Sequence, residues 1–141
     1  MPDVITTCRL TRDTAVLLEN IADEVFDEEI NAQRLATYLR SPGHLMIIAV
    51  CGKQVIGQIA AYVHNHPDRV SDVYIDNLGV APSFQRRGVA RRLVNEVLAW
   101  GKTLECNQAW IVTDIENNAA RALYESRGAA GEPIVMFSYR L

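Results

Sequence analysis

The segment SFQRRGVARRLVNEVLAW, residues 83–100, contains the pattern that decides the fold: two arginines, a glycine and then a long apolar repeat. After Gly88, apolar residues recur every three or four positions, which is the spacing of one face of an α-helix. The repeat predicts a helix from Gly88 to about Glu105. Its apolar face consists of Val89, Ala90, Leu93, Val94, Val97 and Leu98.

The start of this helix has the features of an anion-binding site. A glycine lets another molecule approach the backbone closely, and the first N–H groups of a helix have no internal partner and carry the positive end of its dipole. Gln85, Arg86 and Arg87 add side-chain donors and charge beside those groups. We interpret the segment as a diphosphate site. A solvated basic loop remains an alternative, and recognition of DNA is disfavoured because the rest of the chain is acidic.

The composition is that of an ordinary globular domain. The chain has 141 residues, 49% of them apolar and 22% charged, so we expect one domain spanning residues 1–141. The net charge of −3 gives no sign of a nucleic-acid partner. No apolar run approaches the roughly 18 residues of a membrane span, and the first residues do not resemble a signal peptide. Three cysteines without a CxxC spacing fit a reducing cytosol, so we expect a cytoplasmic protein.

Periodicity and turn residues predict a mixed α/β domain with the element order β-α-α-β-β-β-α-β-α-β. The predicted strands cover residues 6–10, 44–50, 55–63, 73–80, 109–115 and 133–141. The predicted helices cover residues 11–22, 31–40, 88–105 and 117–127.

Two segments on these elements resemble the signatures of one enzyme family. Residues 85–90 resemble the coenzyme A pyrophosphate loop of the GCN5-related N-acetyltransferases (GNAT), written Q/R-x-x-G-x-G/A, and residues 78–82 resemble the strand end that leads into it. Residues 117–128 resemble the second signature of the family, in the same order and at a similar separation. The resemblance implies a single-domain fold with a twisted, mixed, mostly antiparallel sheet. It also implies helices on both faces and central strands that splay apart to admit the cofactor.

The resemblance implies acetyl-CoA as co-substrate and assigns residues to it. The backbone N–H groups of residues 86–90 would hold the pyrophosphate, and the edge of residues 78–80 would bind the pantetheine arm. Tyr124 would be the general acid, since a phenol stays protonated at neutral pH, and Asn117 would contact the pantetheine. A core aromatic and a helix N-cap are the alternatives for these two side chains. The implied cofactor site consists of Leu78, Gly79, Val80, Gln85, Arg86, Arg87, Gly88, Val89, Ala90, Asn117, Ala120 and Tyr124.

Acetylation of an amine also needs a group that removes a proton from the ammonium. Strand alternation places Tyr74, Asp76 and Leu78 on one face, so Asp76 is the candidate base, with a solvated strand-end acid as the alternative. Asn77 would point the other way unless a β-bulge intervenes, and bulges are common next to active sites. Asp114 and Glu116 are held in reserve.

The acceptor is expected to be a small amine, and an acidic segment suggests that it is cationic. In the family, the segment between the first two helices lines the acceptor site, and here it contains five acids. A solvated turn is the alternative. The predicted acceptor residues are Asp23, Glu24, Asp27, Glu28, Asp76 and Asn77.

Short matches across the chain, at residues 7–10, 60–63, 73–75 and 135–137, also resemble the type I aminoglycoside 3-N-acetyltransferases. This implies an enzyme of antibiotic resistance. Two departures weaken the assignment. The subgroup has Tyr-Asp where this chain has Asp76-Asn77, and the acceptor segment here is shorter.

The alternatives to a small-molecule acetyltransferase are a protein lysine or N-terminal acetyltransferase and a non-catalytic acyl-CoA-binding module. We expect no metal: His64 and His66 form a pair, but no neighbouring Cys or further His completes a site. Trp100 and Trp110 are interpreted as core residues. We expect no nucleic-acid or membrane partner, and a homodimer is left open.

Overall fold

A computed structural model describes residues 3–141 and divides the chain into two compact units. The first unit ends at Ile111, and the second spans Val112–Leu141. The predicted single domain 1–141 stays a prediction. Met1 and Pro2, the first residues of the segment that does not resemble a signal peptide, lie outside the described residues. Among residues 3–141 there is no helix with the length and apolar character needed to span a membrane.

The described part of the first unit, residues 3–111, contains five strands and two α-helices. The strands are β1 (Ile5–Arg9), β2 (His44–Cys51), β3 (Gln54–His64), β4 (Asp72–Val80) and β5 (Ala109–Ile111). The helices are α1 (Ala32–Arg40) and α2 (Val89–Thr103), with short 3-10 helices at Ala15–Glu19 and Pro82–Phe84. The second unit contains α3 (Asn118–Ser126).

The sheet is mixed and mostly antiparallel, with its strands in the order β1-β2-β3-β4-β5. The last pair, β4 and β5, is parallel and joins only residues 73–75 to residues 109–111. Beyond Ile75, the edge of β4 that faces away from β3 has no β5 partner. The predicted fold class and the splayed strands are therefore confirmed.

Helix α2 packs its apolar face on one side of this sheet. Val89, Leu93 and Val97 are buried there, and a Cβ placed on Gly101 would lie 2.9 Å from Val73 Cγ2. A methyl group at Gly57 of β3 would likewise face Val89. The helix lies close to the strands because these glycines carry no side chain.

The opposite face of the sheet carries α1 and the acidic segment, defined as residues 23–29. Gly79 is opposite Gln58 in the β3–β4 register, and a Cβ built on Gly79 would overlap the carbonyl oxygen of Val25. Gln58 and Tyr62, four residues apart, share this face, as does His44, the cross-strand partner of Tyr62. Layers on both faces bury the central strands.

Helix α1 begins and ends where the sequence predicts. The Asn31 side chain accepts a hydrogen bond from Arg34 N at 2.9 Å, which is the N-cap geometry. The helix ends at Arg40, and Ser41 is extended because it precedes a proline.

The predicted helix 11–22 is wrong: only Ala15–Glu19 is helical, in a 3-10 turn. The reason lies in two threonines. Thr14 Oγ1 accepts from Thr11 N and donates to Arg9 O, both at 2.8 Å. These side chains satisfy backbone groups locally and compete with a regular helix.

The predicted strand 133–141 is also absent, and β5 is shorter than the predicted 109–115. Residues 129–141 have no regular structure, and their apolar side chains are exposed. A strand requires a hydrogen-bonded neighbour, and no other strand lies in the unit Val112–Leu141.

The contact between Gly79 and Val25 yields a stability test. We expect Gly79→Ala to lower the free energy of unfolding by about 1–3 kcal/mol, because the new methyl group must displace the Val25 carbonyl. Urea unfolding of the full chain measures this loss. Gly131→Ala is the control, since a Cβ there meets nothing within 4 Å. Equal stability of the two variants would contradict the close approach.

Candidate active site

The loop between β4 and α2 presents unpaired backbone donors. Gly88 is the N-cap of α2 with φ 80°, and no described side chain caps the helix. The first intrahelical bond of this turn runs from Arg92 N to Gly88 O at 3.0 Å, so the N–H groups of Val89, Ala90 and Arg91 have no intrahelical acceptor. A Cβ on Gly88 would meet nothing within 4 Å. The open side of this glycine can admit an anionic group.

The side chains before Gly88 hold the loop in shape. Gln85 Nε2 donates to Val80 O at 3.1 Å, which closes the loop onto the end of β4. Arg87 pairs with Asp3 at 3.1 Å and its guanidinium lies 4.9 Å from the Phe84 ring centre. Arg86 is exposed and has a left-handed backbone, with φ 62°. Gln85 and Arg87 therefore serve the loop itself, and both Arg86 and Arg87 are exposed cations beside it.

A β-bulge in β4 lies at the predicted base. Asn77 pairs with Ala60 and Ile75 with Ala61, so Asp76 is an extra residue without a partner on β3. The bulge turns Asn77 to the face that Tyr74 occupies. Leu78, which alternation predicted to share a face with Tyr74, is on the other side, so that part of the prediction is wrong.

Asp76 lies near side chains that the sequence did not single out. Loss of hydration raises its pKa, opposed by a hydrogen bond from its own backbone N–H and by the charge of nearby His44. Tyr38 of α1 is also close: burial first, and then the Asp76 carboxylate, raise the pKa of Tyr38 to about 12, while Arg9 lowers it. The Tyr38 hydroxyl is buried without a hydrogen-bond partner among the described residues. A carboxylate, an imidazole and a phenol thus cluster at the bulge.

The acidic segment is fixed to the sheet beside this cluster. Val25 is buried and its carbonyl accepts from Gln58 Nε2 at 3.1 Å. The same nitrogen donates to Asn77 Oδ1 at 2.6 Å, and Asn77 Nδ2 donates to Asp27 Oδ2 at 3.1 Å. The structure therefore brings together Asp27 and Asn77. Asp23, Glu24 and Glu28 are exposed, as are Glu29 and Asp76.

A row of aromatic rings crosses the sheet on the same face. The ring centres of Tyr62 and Tyr74 are 5.5 Å apart, and those of Tyr74 and Trp110 are 4.3 Å apart. His44 joins the row at 5.9 Å from Tyr62 and contacts Tyr38 at 4.9 Å. Trp110 is 38% exposed, so its interpretation as a core residue is wrong. Only the strand register, which joins positions far apart in the chain, reveals this row.

The second unit carries the remaining predicted site residues on α3. Asn117 is the N-cap, its side chain accepting from Ala120 N at 3.1 Å, and its contact with the pantetheine stays a prediction that capping does not exclude. Tyr124 is half-buried, and burial raises its pKa. A phenol with a raised pKa stays protonated and can act as a donor.

The model of the acetyltransferase (GNAT) family matches residues 12–129. The chain belongs to this family. The match confirms the predicted family and covers both predicted signatures. It excludes neither an amine on a small molecule nor one on a protein as the acceptor.

Two curated relatives differ in their acceptors. The chain is 27% identical over 84 residues to N-alpha-acetyltransferase 30 of Xenopus laevis, a match covering 60% of this chain and 31% of that protein. It is 31% identical over 65 residues to aminoglycoside N(6')-acetyltransferase type 1 of Salmonella typhimurium, covering 46% of this chain and 45% of that protein. The matched part is thus less than half the length of each relative.

A solved acetyltransferase has the same fold. The aminoglycoside N-acetyltransferase AAC(6')-Iy, in complex with the bisubstrate analogue CoA-S-monomethyl-acetylneamine, superposes with a TM-score of 0.80 at 20% identity. The match covers 98% of this chain and 99% of that one.

The contact of Asp76 with Tyr38 can be tested by titration. We expect Asp76→Asn to lower the pKa of Tyr38 from about 12, because a neutral amide no longer repels the phenolate. The value should stay above the usual value of about 10, since burial is the larger cause. NMR of ring-labelled tyrosine, assigned with Tyr38→Phe, measures it. Asp68→Asn, in the exposed loop after β3, is the control. If Tyr38 has the same pKa in both variants, the Asp76 charge does not act on Tyr38.

Proposed function

We propose that the protein is an acetyl-CoA-dependent N-acetyltransferase. It moves an acetyl group to a primary amine of a small cationic molecule, such as an aminoglycoside, by direct attack in a ternary complex. The observation that supports this best is the uncapped start of α2, which follows a strand whose outer edge is open beyond Ile75. Backbone donors for a pyrophosphate and a free strand edge for a pantetheine arm occur in succession.

The residues of the loop fit the pyrophosphate of coenzyme A. The N–H groups of residues 86–90 would hold it, with the side chain of Arg86 adding charge and Gln85 keeping the loop closed. Leu78 and Val80 would offer backbone groups to the pantetheine. Gly79 contributes backbone only, because the space for a side chain there is filled by Val25.

Asp76 would accept the proton of the bound ammonium. Acetyl-CoA supplies the thioester, whose carbonyl carbon the amine attacks: the C–N bond forms, the C–S bond breaks, and the thiolate takes a proton. The raised pKa of Asp76 makes its carboxylate a better base, and the charge of His44 opposes part of that rise. Tyr124 would give the proton to the thiolate, the role that the family resemblance implies, and burial keeps its phenol protonated.

The acidic segment would attract the cationic acceptor. Its exposed carboxylates lie on the face that carries Asp76, with Asp27 and Asn77 joined by a hydrogen bond. The similarity to an aminoglycoside N(6')-acetyltransferase supports a small polycation. The predicted 3-N subgroup differs from this relative in the position acetylated, so the proposal is limited to the substrate class.

Two alternatives remain. The similarity to N-alpha-acetyltransferase 30 favours a protein N-terminus or lysine as the acceptor. A basic peptide with a free amino terminus would then be turned over and aminoglycosides would not. A non-catalytic acyl-CoA-binding module would bind acetyl-CoA and release no thiol with any amine.

Cofactor binding is tested at Gly88. We expect Gly88→Glu to weaken acetyl-CoA binding by about 100-fold or more, because the carboxylate of the new glutamate would meet the pyrophosphate at the start of α2. Isothermal titration calorimetry on folded protein measures this. Gly52→Glu is a matched control, since Gly52 also has a positive φ, 62°, and open space around its Cβ position.

Both variants place a side chain at a positive φ, 80° at Gly88 and 62° at Gly52, so a difference in affinity between them is assigned to the ligand. Unchanged affinity in Gly88→Glu would remove the basis of the proposal. Equal losses in both variants would assign the effect to destabilisation.

The acceptor is tested by neutralising Asp23→Asn, Glu24→Gln and Glu28→Gln together. Asp27 is spared because its carboxylate holds Asn77. We expect the KM of a tetracationic aminoglycoside to rise about 10- to 100-fold, since each exposed pair contributes up to about 1 kcal/mol. The KM of acetyl-CoA and of a monoamine should change little. High salt should shrink the effect by screening.

The control removes the same charge elsewhere: Asp13→Asn, Glu19→Gln and Glu105→Gln are all exposed, and Glu105 matches Glu24 in its positive φ. Thiol release from acetyl-CoA with aminoglycosides, polyamines and basic peptides gives the rates. If both triple variants share the wild-type KM for every amine, the acidic segment is a solvated turn.

A further inference from the structure

A second cluster of chemically active side chains lies at the other end of β4. His64 ends β3 and Asp72 begins β4, and the two are cross-strand partners. The connecting loop, residues 65–71, brings His66 back onto the same pair. Asp72 and Val80 are eight residues apart, or about 25 Å at 3.3 Å per residue, so this cluster is remote from the loop at Gly88.

The three side chains converge on one point. His66 Nε2 lies 3.3 Å from Asp72 Oδ1, and His64 Nδ1 lies 3.9 Å from the same oxygen. One nitrogen or oxygen from each residue falls within 4.8 Å of the others, and the two imidazole centres are 4.1 Å apart. The side chains of His66 and Asp72 are only 7% and 11% exposed, whereas that of His64 is 51% exposed. The cluster is therefore closed on one side and open to solvent on the other.

Hydrogen bonds keep the cluster in place. Ser71 Oγ donates to Asn65 Oδ1 at 2.6 Å across the loop. On the β5 side, Asn107 N donates to Ser71 O at 3.3 Å and Val73 N donates to Gln108 O at 2.9 Å. The backbone on both sides of Asp72 is thus fixed, which limits the rearrangement that a ligand would require.

We infer that His64, His66 and Asp72 form a binding site for a divalent transition metal of the zinc type. Two imidazoles and one carboxylate are donors that zinc accepts, whereas Mg²⁺ and Ca²⁺ select oxygen ligands. Metal–ligand bonds of about 2.0–2.1 Å give a tetrahedron with edges of about 3.3 Å. The distance from His66 Nε2 to Asp72 Oδ1, 3.3 Å, equals this edge. The distance from His64 Nδ1 to the same oxygen, 3.9 Å, is longer, and a rotation of the exposed His64 side chain would shorten it. Three protein ligands leave one position to solvent.

The sequence failed to indicate this site because only two of its ligands are neighbours in the chain. His64 and His66 looked like a pair without a third ligand. The antiparallel register supplies Asp72 across the strands, from a position six residues after His66. A metal here would clamp the β3–β4 connection and stabilise the folded state.

Calorimetric titration of the tag-free full chain with ZnCl2 tests the inference. We expect one equivalent to bind and the Tm to rise with zinc concentration. Asp72→Asn and His66→Asn should each weaken binding at least about 10-fold, as should His64→Asn, whose exposed side chain makes misfolding a minor concern. Asp68→Asn, an exposed carboxylate of the same loop, is the matched control and should bind as wild type does.

Cobalt(II) provides an independent readout, because a tetrahedral site gives intense visible absorption bands. These bands should appear in wild type and in Asp68→Asn and be absent in Asp72→Asn. Retention of zinc affinity in folded His64→Asn and Asp72→Asn would overturn the site. If a Cys106→Ser variant loses zinc binding while the His64, His66 and Asp72 variants keep it, the metal is bound by a thiol. That result would also overturn the proposed site.

Discussion

The buried amide of Gln58 makes the hydrogen bonds on which the proposed acceptor side of the structure depends. Its nitrogen donates to the Val25 carbonyl and to Asn77, so one fully buried side chain joins the acidic segment to the bulged strand. An amide withdrawn from water without partners would cost a few kcal/mol, by the general magnitude for buried polar groups. That penalty selects one arrangement of the segment. The carbonyl oxygen of Gln58, Oε1, has no hydrogen-bond partner among the described residues, so this amide is satisfied on its donor side only.

The proposed cofactor and acceptor ends of the first unit would bind by different physical means. The loop at Gly88 offers backbone N–H groups fixed by a helix, and such donors need little adjustment to hold a phosphate. The face with Asp76 relies on side chains whose ionisation responds to their neighbours, as the raised pKa of Tyr38 illustrates. Under the proposed function, a rigid cofactor end beside an adjustable acceptor end would suit two relatives whose names differ in the amine, an N-alpha-acetyltransferase and an aminoglycoside N(6')-acetyltransferase.

Local patterns sufficed to predict much of the fold and the glycine that begins α2. The apolar repeat after Gly88 became α2, and the Asn31 cap and the Pro42 stop fixed α1. What local patterns could not predict depends on pairing between distant strands. The bulge at Asp76 reversed the expected face of Leu78, and residues 133–141, predicted as a strand, have no regular structure. The roles of Tyr38 and His44 were missed for the same reason, since each is brought to Asp76 from another element.

The short pairing between β4 and β5 has a consequence for the dynamics of the backbone. From Asp76 to Val80, β4 is hydrogen-bonded along the β3 edge while the β5 edge has no partner strand. Successive amides of a strand point to alternate edges, so protected and unprotected N–H groups alternate along this stretch. Amide hydrogen exchange should be slow at one set and fast at the other in the free protein. A molecule that hydrogen-bonds to the open edge would slow exchange only at the fast amides. Exchange along β4 would therefore report whether that edge is occupied.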